Sequence, residues 1–200
     1  MRLVYYDSMT SEGKMDWQNA LTDKNTMFMT DEEGNAVADE MFLNFWWTED
    51  ELASEELIKA SAKKAEELGL DPYQVFAGVD IQADGYMTPI RWDLFESSDN
   101  STHTSLGLYC PNWAYTSAQN LDDFHKKENN LWVNSKQDPS ADIEYASDTQ
   151  WHGVSTYAVE KSAITSLPFV TNFNTGSGYS FFKNGEQIST LDWNNRSIGD

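Results

Sequence analysis

The residue types able to do chemistry lie in a few short stretches of this 200-residue chain. Asp80, Gln82, Asp84 and Gly85 begin like a calcium loop with glycine at its sixth position, but Arg91 stands at the twelfth, where a bidentate glutamate is needed. His103, His125 and His152 are too scattered for a zinc pattern, and Gly176 with Gly178 forms a G-x-G that lacks its third glycine and a following helix. No metal and no cofactor is therefore expected. Asn100 with Thr102 and Asn195 with Ser197 satisfy the glycosylation sequon, a pattern short enough to arise by chance. What remains is a series of polar and aromatic clusters, each closing a short apolar run. They hold Tyr6, then Asn44 with Trp46 and Trp47, then Asp80 with Gln82, then Tyr109 with Trp113.

Those clusters need elements to carry them, and four short strands are expected: "RLVYYDS", "MFLNFWW" at 41–47, "QVFAGVDIQ" at 74–82 and "SLGLYCPNW" at 105–113. They recur every 30 to 40 residues or so, and an eight-unit barrel of about 250 residues allots roughly 31 to each strand-plus-helix unit. With a period of two, Val75, Ala77, Val79 and Ile81 face one side, while Phe76, Gly78, Asp80 and Gln82 face the other. The second set, small and then polar toward the C-terminal end, suits an inward barrel face where the strands open onto a substrate. Asn44 with Trp46 and Gly107 with Tyr109 repeat the arrangement.

The segments between the strands alternate in character. "TEDELASEELIKASAKKAEELGLDP" predicts one helix, with a capping box from Thr48 and Glu51, apolar positions at Leu52, Leu57, Ala60, Ala65 and Leu68, and a stop at Gly69 before Pro72. "WQNALTDKNTMFM" and "SAQNLDDFHKKENNLWV" predict further helices without clean caps. After about Ser166 the composition turns to Asn, Gly, Ser and Thr with no helical period. There "KNGE" between "YSFF" and "QIST" reads as a β-hairpin. The expected organisation is an α/β unit over residues 1–165 and the start of a β segment over 166–200.

Charge and composition bound the partners. With 33 Asp plus Glu against 13 Lys plus Arg, the formal charge is -20, which repels phosphate backbones and anionic membranes alike. Nucleic acid and membrane insertion are not expected, and no apolar stretch approaches the roughly 20 residues of a membrane span. The single cysteine, Cys110, cannot form an internal disulfide, so the redox compartment stays open.

Taken in order, "YYDSMT" with "WQN", "FLNFWW", "VFAGVDIQ" followed by "GY", "LYCPNW", "LWV", "PFVTNFNTGSG" and "WNNRS" resemble glycoside hydrolase family 85, the endo-β-N-acetylglucosaminidases. The resemblance runs across nearly all of the chain. It implies a (β/α)₈ barrel followed by β-sandwich domains, with this chain corresponding to about strands 5 to 8 and the opening of the next domain. It implies cleavage of the GlcNAc-β-1,4-GlcNAc core bond of N-linked glycans, chiefly high-mannose chains, by a substrate-assisted retaining mechanism. In that mechanism the substrate's own 2-acetamido oxygen attacks the anomeric carbon. An asparagine polarises the amide, and a glutamate protonates the leaving oxygen.

The family's Asn-x-Glu pair ends the fourth barrel strand, which precedes this chain. The Asn-x-Glu found here, Asn184-Gly185-Glu186, falls in the expected hairpin and is read as a turn. Tyr6 matches the family tyrosine that hydrogen-bonds the acetamido group. Trp17, Trp46 and Trp47 match the aromatic walls of the cleft, with Trp47 the one best suited to a core role. Asp80, Gln82, Tyr109 and Trp113 match strand-end positions as sugar-hydroxyl binders or supports, and Asn44 stands among the substrate-binding candidates. Family members are cytosolic in eukaryotes and secreted or surface-bound in bacteria. Two other readings are a non-catalytic glycan-binding module using the same aromatic platforms, and a different barrel hydrolase using Asp7 or Asp80 as its carboxylate.

Overall fold

The computed structural model describes residues 2–99, 101–158, 162, 164–170 and 176–194. Two compact units make up the chain, Met1–Ala158 and Val159–Asp200. The first is built on a four-stranded parallel sheet of β1 (Val4–Tyr6), β2 (Glu40–Phe42), β3 (Val75–Asp80) and β4 (Ser105–Tyr109), in the order β1-β2-β3-β4. Neighbours in sequence are neighbours in space, so each connection must cross back over one face of the sheet.

Alternation along the strands separates the two faces. Tyr5, Met41, Val75, Ala77 and Val79 face the crossovers and pack with Ile58, Ala65, Ile90, Trp92, Phe95 and Leu131 into one core. Tyr5 lies flat on Phe28 of the first crossover, ring centroids 4.2 Å apart. The register sets Tyr6 beside Phe42, Phe42 beside Phe76, Gly78 beside Gly107, and Asp80 beside Tyr109. This second row forms the other face. It ends in polar and aromatic groups at the C-terminal edge of every strand.

The crossovers depart from the sequence expectation in instructive ways. The segment after β2 is two helices, α1 (Asp50–Ala53) and α2 (Leu57–Glu67), divided where Glu56 takes a left-handed φ of 45°. Thr48 forms no capping box because its hydroxyl oxygen accepts the Arg91 backbone N–H at 2.7 Å, a long-range contact that outcompetes the local one. Gly69, at φ 74°, ends the second helix as expected, with Leu70 N–H returning to Ala65 O at 2.9 Å. A true capping box forms further on, between Asp71 and Gln74.

The stretch "WQNALTDKNTMFM" is not a helix; only the 3₁₀ turn Thr26–Phe28 forms, and the rest is a loop gathered around buried polar groups. The β3–β4 connection has two single-turn helices, α3 (Ile81–Asp84) and α4 (Trp92–Phe95). After β4 come α5 (Trp113–Thr116) and α6 (Leu121–Glu128), and α6 runs into a π turn at Asn129–Val133. It does possess a cap, because Asn120 accepts the Asp123 N–H at 2.9 Å.

In the second unit β5 (Ser177–Gly178) pairs antiparallel with β8 (Trp193–Asn194), and β6 (Phe181–Lys183) pairs with β7 (Glu186–Ser189) as a hairpin. Asn184 at φ 53° and Gly185 at φ 82° form its turn, and positive φ at both central residues matches the right-handed twist of the flanking strands. Asn100 and Asn195 of the two sequons, residues 171–175 of "PFVTNFNTGSG" and residues 195–197 of "WNNRS" lie outside the described residues.

Candidate functional site

The site grows from the point where β1 gives out. The side chain of Tyr6 remains 39% exposed on the second face of the sheet, whereas the next residue, Asp7, is completely buried. The Asp7 carboxylate accepts the backbone N–H of Asn19 at 2.6 Å and of Gln18 at 3.2 Å, and the side-chain amide of Asn25 at 3.1 Å. Three donors on one carboxylate fold the 16–25 loop back onto the strand end and satisfy the buried charge. Burial is the largest influence on this carboxyl and pushes its pKa up, against those hydrogen bonds. Asp7 therefore builds the loop rather than meeting a ligand.

That loop delivers Trp17. From β2 the chain passes through Leu43 and Asn44 into a 3₁₀ turn, Phe45–Thr48, which sets Trp46 edge-on to Trp17 with centroids 5.7 Å apart. Trp46 is 46% exposed. Asn44 is buried behind it and its Oδ1 accepts the Tyr6 hydroxyl at 2.7 Å. Tyr6 has its pKa raised, first by burial and then by the Asp7 charge, while a side-chain hydrogen bond with Trp17 opposes the rise. Tyr6, Trp17, Asn44 and Trp46 thus form one constellation from two neighbouring strand ends.

Trp47 lies elsewhere. It is 1% exposed, its indole N–H donates to Gly78 O at 2.8 Å, and its ring leans on Phe95 of α4. Phe45 occupies the place that period-two reasoning would deny it, with its ring 6.4 Å from Tyr6, 6.2 Å from Phe42 and 5.7 Å from Tyr109. Alternation along "FLNFWW" failed to flag Phe45 because the strand ends at Phe42, and a 3₁₀ turn re-aims every side chain after it.

On the other two strands, Asp80 caps α3 by accepting the Gln82 backbone N–H at 3.0 Å, and Tyr109 stands across from it in register. The Phe45 ring connects this pair to the first two strands, since it lies against both Tyr109 and Tyr6. Gln82 is in the first turn of α3, exposed, and beyond the strand. Trp113 is 8% exposed, edge-on to Tyr86 at 5.7 Å, beneath the Lys127 ammonium at 5.3 Å, and against the backbone of Gly85. It packs the β3 and β4 loops together. Gly78 and Gly107 lie under the ring of Phe42, where side chains would collide with it, so the floor of the second face is flat.

Among the described residues, no group of three His, Cys, Asp or Glu side chains could hold a metal ion. The arrangement offers the exposed Trp46 ring and the half-buried Trp17 ring beside a phenol and a carboxylate. Flat rings pack on apolar ligand faces while the polar groups fix orientation. No helix among the described residues is long and apolar enough to cross a membrane.

Comparison with known proteins gives consistent likenesses. A family model described as Glycosyl hydrolase family 85 matches residues 1–181. The chain is 27% identical over 197 residues to cytosolic endo-beta-N-acetylglucosaminidase 2 of Arabidopsis thaliana, covering 98% of this chain and 23% of that protein. It is 26% identical over 193 residues to the cytosolic endo-beta-N-acetylglucosaminidase of Homo sapiens, covering 96% of this chain and 21% of the relative. The glycoside hydrolase domain of Endo-D from Streptococcus pneumoniae R6, a crystal structure, superposes with a TM-score of 0.78 at 27% identity, over 98% of this chain and 30% of that one. The chain therefore spans about a quarter of the length of the curated relatives it matches.

Proposed function

The chain belongs to glycosyl hydrolase family 85, and on that premise we propose that it forms part of the catalytic domain of an endo-β-N-acetylglucosaminidase acting on N-linked glycans. The observation that carries the reading is the Tyr6–Trp17–Asn44–Trp46 constellation at the C-terminal ends of parallel strands, where barrel enzymes place their sites. The scissile bond is the GlcNAc-β-1,4-GlcNAc core bond, chiefly of high-mannose chains. The reaction is substrate-assisted and retaining: the 2-acetamido oxygen closes on the anomeric carbon while a glutamate acid donates its proton to the leaving oxygen.

In this reading the four strands are the second half of a (β/α)₈ barrel, about strands 5 to 8. Residues 1–165 belong to the barrel and 166–200 begin a following β segment. The glutamate and its partner asparagine come from sequence outside these 200 residues, because Asn184 forms the hairpin turn of the second unit with Gly185 and Glu186 opens the strand after it. Tyr6 supports the acetamido group, Trp17 and Trp46 wall the cleft, and Asn44 orients Tyr6. Asp80, Gln82 and Tyr109 bind or position sugar hydroxyls. Trp47 and Trp113 act from beneath, as packing that holds the strand-end loops. The compartment is the cytosol for a eukaryotic source and the exterior or cell surface for a bacterial one.

Two assays on a high-mannose glycopeptide test this reading. The 200-residue chain alone, lacking the acid, is expected to leave the glycopeptide intact, and the complete enzyme that carries it releases the glycan with one GlcNAc retained on the peptide. Cleavage by the isolated chain at the rate of the complete enzyme would remove the need for an external acid and refute the assignment. Binding of the glycan by the isolated chain without cleavage, lost in Trp46→Ala, together with an inactive complete protein, would favour a glycan-binding module.

A further inference from the structure

Asn19, the last residue of "WQN", bonds to three members of the constellation and reaches the fourth, Tyr6, through Asn44. It is 5% exposed and adopts a left-handed φ of 55°, which asparagine tolerates better than most side chains. Its backbone N–H is anchored on the buried Asp7 carboxylate at 2.6 Å. Its Oδ1 accepts twice, from the Asn44 side-chain amide at 2.8 Å and from the Trp46 backbone N–H at 3.2 Å. Its own amide donates to the carbonyl of Trp17 at 3.4 Å. One buried side chain thus joins the Trp17 loop, the Trp46 turn and, through Asn44, the Tyr6 hydroxyl.

The direction of these bonds follows from one fixed donor. A backbone N–H can only donate, so the Asn19 atom facing Trp46 must be the oxygen and cannot be the NH₂. The same oxygen faces Asn44, which must therefore present its NH₂ to Asn19 and its carbonyl oxygen to Tyr6. Tyr6 then commits its only proton to Asn44. Its phenol oxygen also takes the side-chain hydrogen bond of Trp17, whose indole N–H can only donate, so what Tyr6 still offers the open side of the site is a lone pair.

The geometry points to Asn19 as a positioning residue that acts through Asn44 to fix the hydrogen-bond direction of Tyr6, so that Tyr6 meets the bound sugar as an acceptor and selects a donor group there. This rests on the proposed reading of Tyr6 as a residue lining the sugar site. The acetamido N–H of a 2-acetamido sugar is such a donor, and an acceptor on it is strengthened as that nitrogen becomes more acidic during ring closure. Without Asn19 the Asn44 amide is free to invert, and Tyr6 can point its proton into the site.

A double-mutant cycle on kcat in the complete enzyme that carries this sequence tests the link, with a high-mannose glycopeptide as substrate and thermal midpoints recorded for every variant. Asn19→Ala is expected to lower kcat by about tenfold to a hundredfold, the scale of a small misplacement at a reacting group. Because Asn19 acts through Tyr6, Asn19→Ala combined with Tyr6→Phe should fall within about threefold of Tyr6→Phe alone. Asn44→Ala cuts the same chain one link closer to Tyr6 without touching the Asp7 anchor, and it must show the same non-additivity if Asn19→Ala fails to fold. Losses that multiply in both cycles, with Tyr6→Phe itself slow, would overturn the inference and leave the role of Tyr6 intact. A Tyr6→Phe enzyme with unchanged kcat would overturn both.

Discussion

Gly78 and Gly107 sit side by side in register on β3 and β4, and adding a methyl group to each should have unequal consequences. A Cβ on Gly107 would meet the ring of Phe42 at 2.5 and 2.9 Å and Phe76 Cβ at 3.0 Å, all side-chain atoms. The Phe42 ring would have to retreat by roughly 1 Å to regain ordinary carbon contact near 3.5–4.0 Å. Overpacking of this kind costs about 1–3 kcal/mol. On a domain of this length that lowers the thermal midpoint by roughly 2–4 °C per kcal/mol. A Cβ on Gly78 would meet Phe42 at 2.6 Å and also collide with the carbonyl oxygen of Leu43.

That carbonyl belongs to backbone tied to β3, since Leu43 N–H donates to Phe76 O at 2.9 Å. Moving it sacrifices that ladder bond at about 1 kcal/mol in addition to the overpacking, so Gly78→Ala should cost roughly 2–4 kcal/mol. The discriminating experiment adds Phe42→Leu to each variant and follows melting by near-ultraviolet circular dichroism. Trimming the ring should restore Gly107→Ala to within about 1 kcal/mol of Phe42→Leu alone, because the two nearest colliding atoms are then gone and only the milder contact with Phe76 Cβ at 3.0 Å stays. It should leave most of the loss in Gly78→Ala, where the obstacle is main chain. Equal rescue of both would refute the reasoning that the β2 backbone, rather than the aromatic ring, limits the approach at Gly78.

Three further outcomes follow from the same geometry. Asp7 has its pKa raised by burial, so the folded state holds more protons than the unfolded state above pH 3.8, and stability falls as pH rises through the folded pKa. The stability difference between the native protein and Asp7→Asn should therefore shift against the native protein with rising pH across that window; thermal midpoints measured from pH 3.5 to 8 that shift the other way would contradict it. Trp47→Phe leaves the Gly78 carbonyl without its indole donor in a closed core and should cost about 2–4 kcal/mol in denaturant unfolding, more than ring volume alone explains. Gly185→Ala places a side chain at φ 82° and should loosen the β6–β7 hairpin by about 1 kcal/mol, seen as faster amide exchange over Phe181–Ser189; unchanged exchange there would contradict it.

Much was legible in the sequence because it is written in local pattern. Period-two alternation in "VFAGVD" located a strand with one buried face, Gly69 marked a helix end, and Asn-Gly between strand-formers announced a hairpin. The ordered series of aromatic motifs pointed to the family that the match over residues 1–181 establishes. The readings that failed are those where a local signal met a distant competitor. Thr48 and Glu51 spell a capping box, but the Thr48 hydroxyl is recruited by Arg91, 43 residues away, and Glu56 breaks the single expected helix in two.

The site divides along the same line. Which residues gather at strand ends follows from spacing, since a parallel sheet of sequential strands brings residues some 35 positions apart into register. Which of them face the opening does not. Trp46 and Trp47 are adjacent and chemically identical, yet a 3₁₀ turn leaves one exposed and drives the other under Gly78. Asn19 has no periodic signature at all; its role exists only because Asp7, Asn44 and Trp46 converge on it from three separate segments. Sequence alone determined the strands and the family, because those depend on patterns and motifs close along the chain. The tertiary structure alone decided the polarity of the Tyr6 hydrogen bond, because a proton's direction is set by donors and acceptors that meet only after the strands have paired.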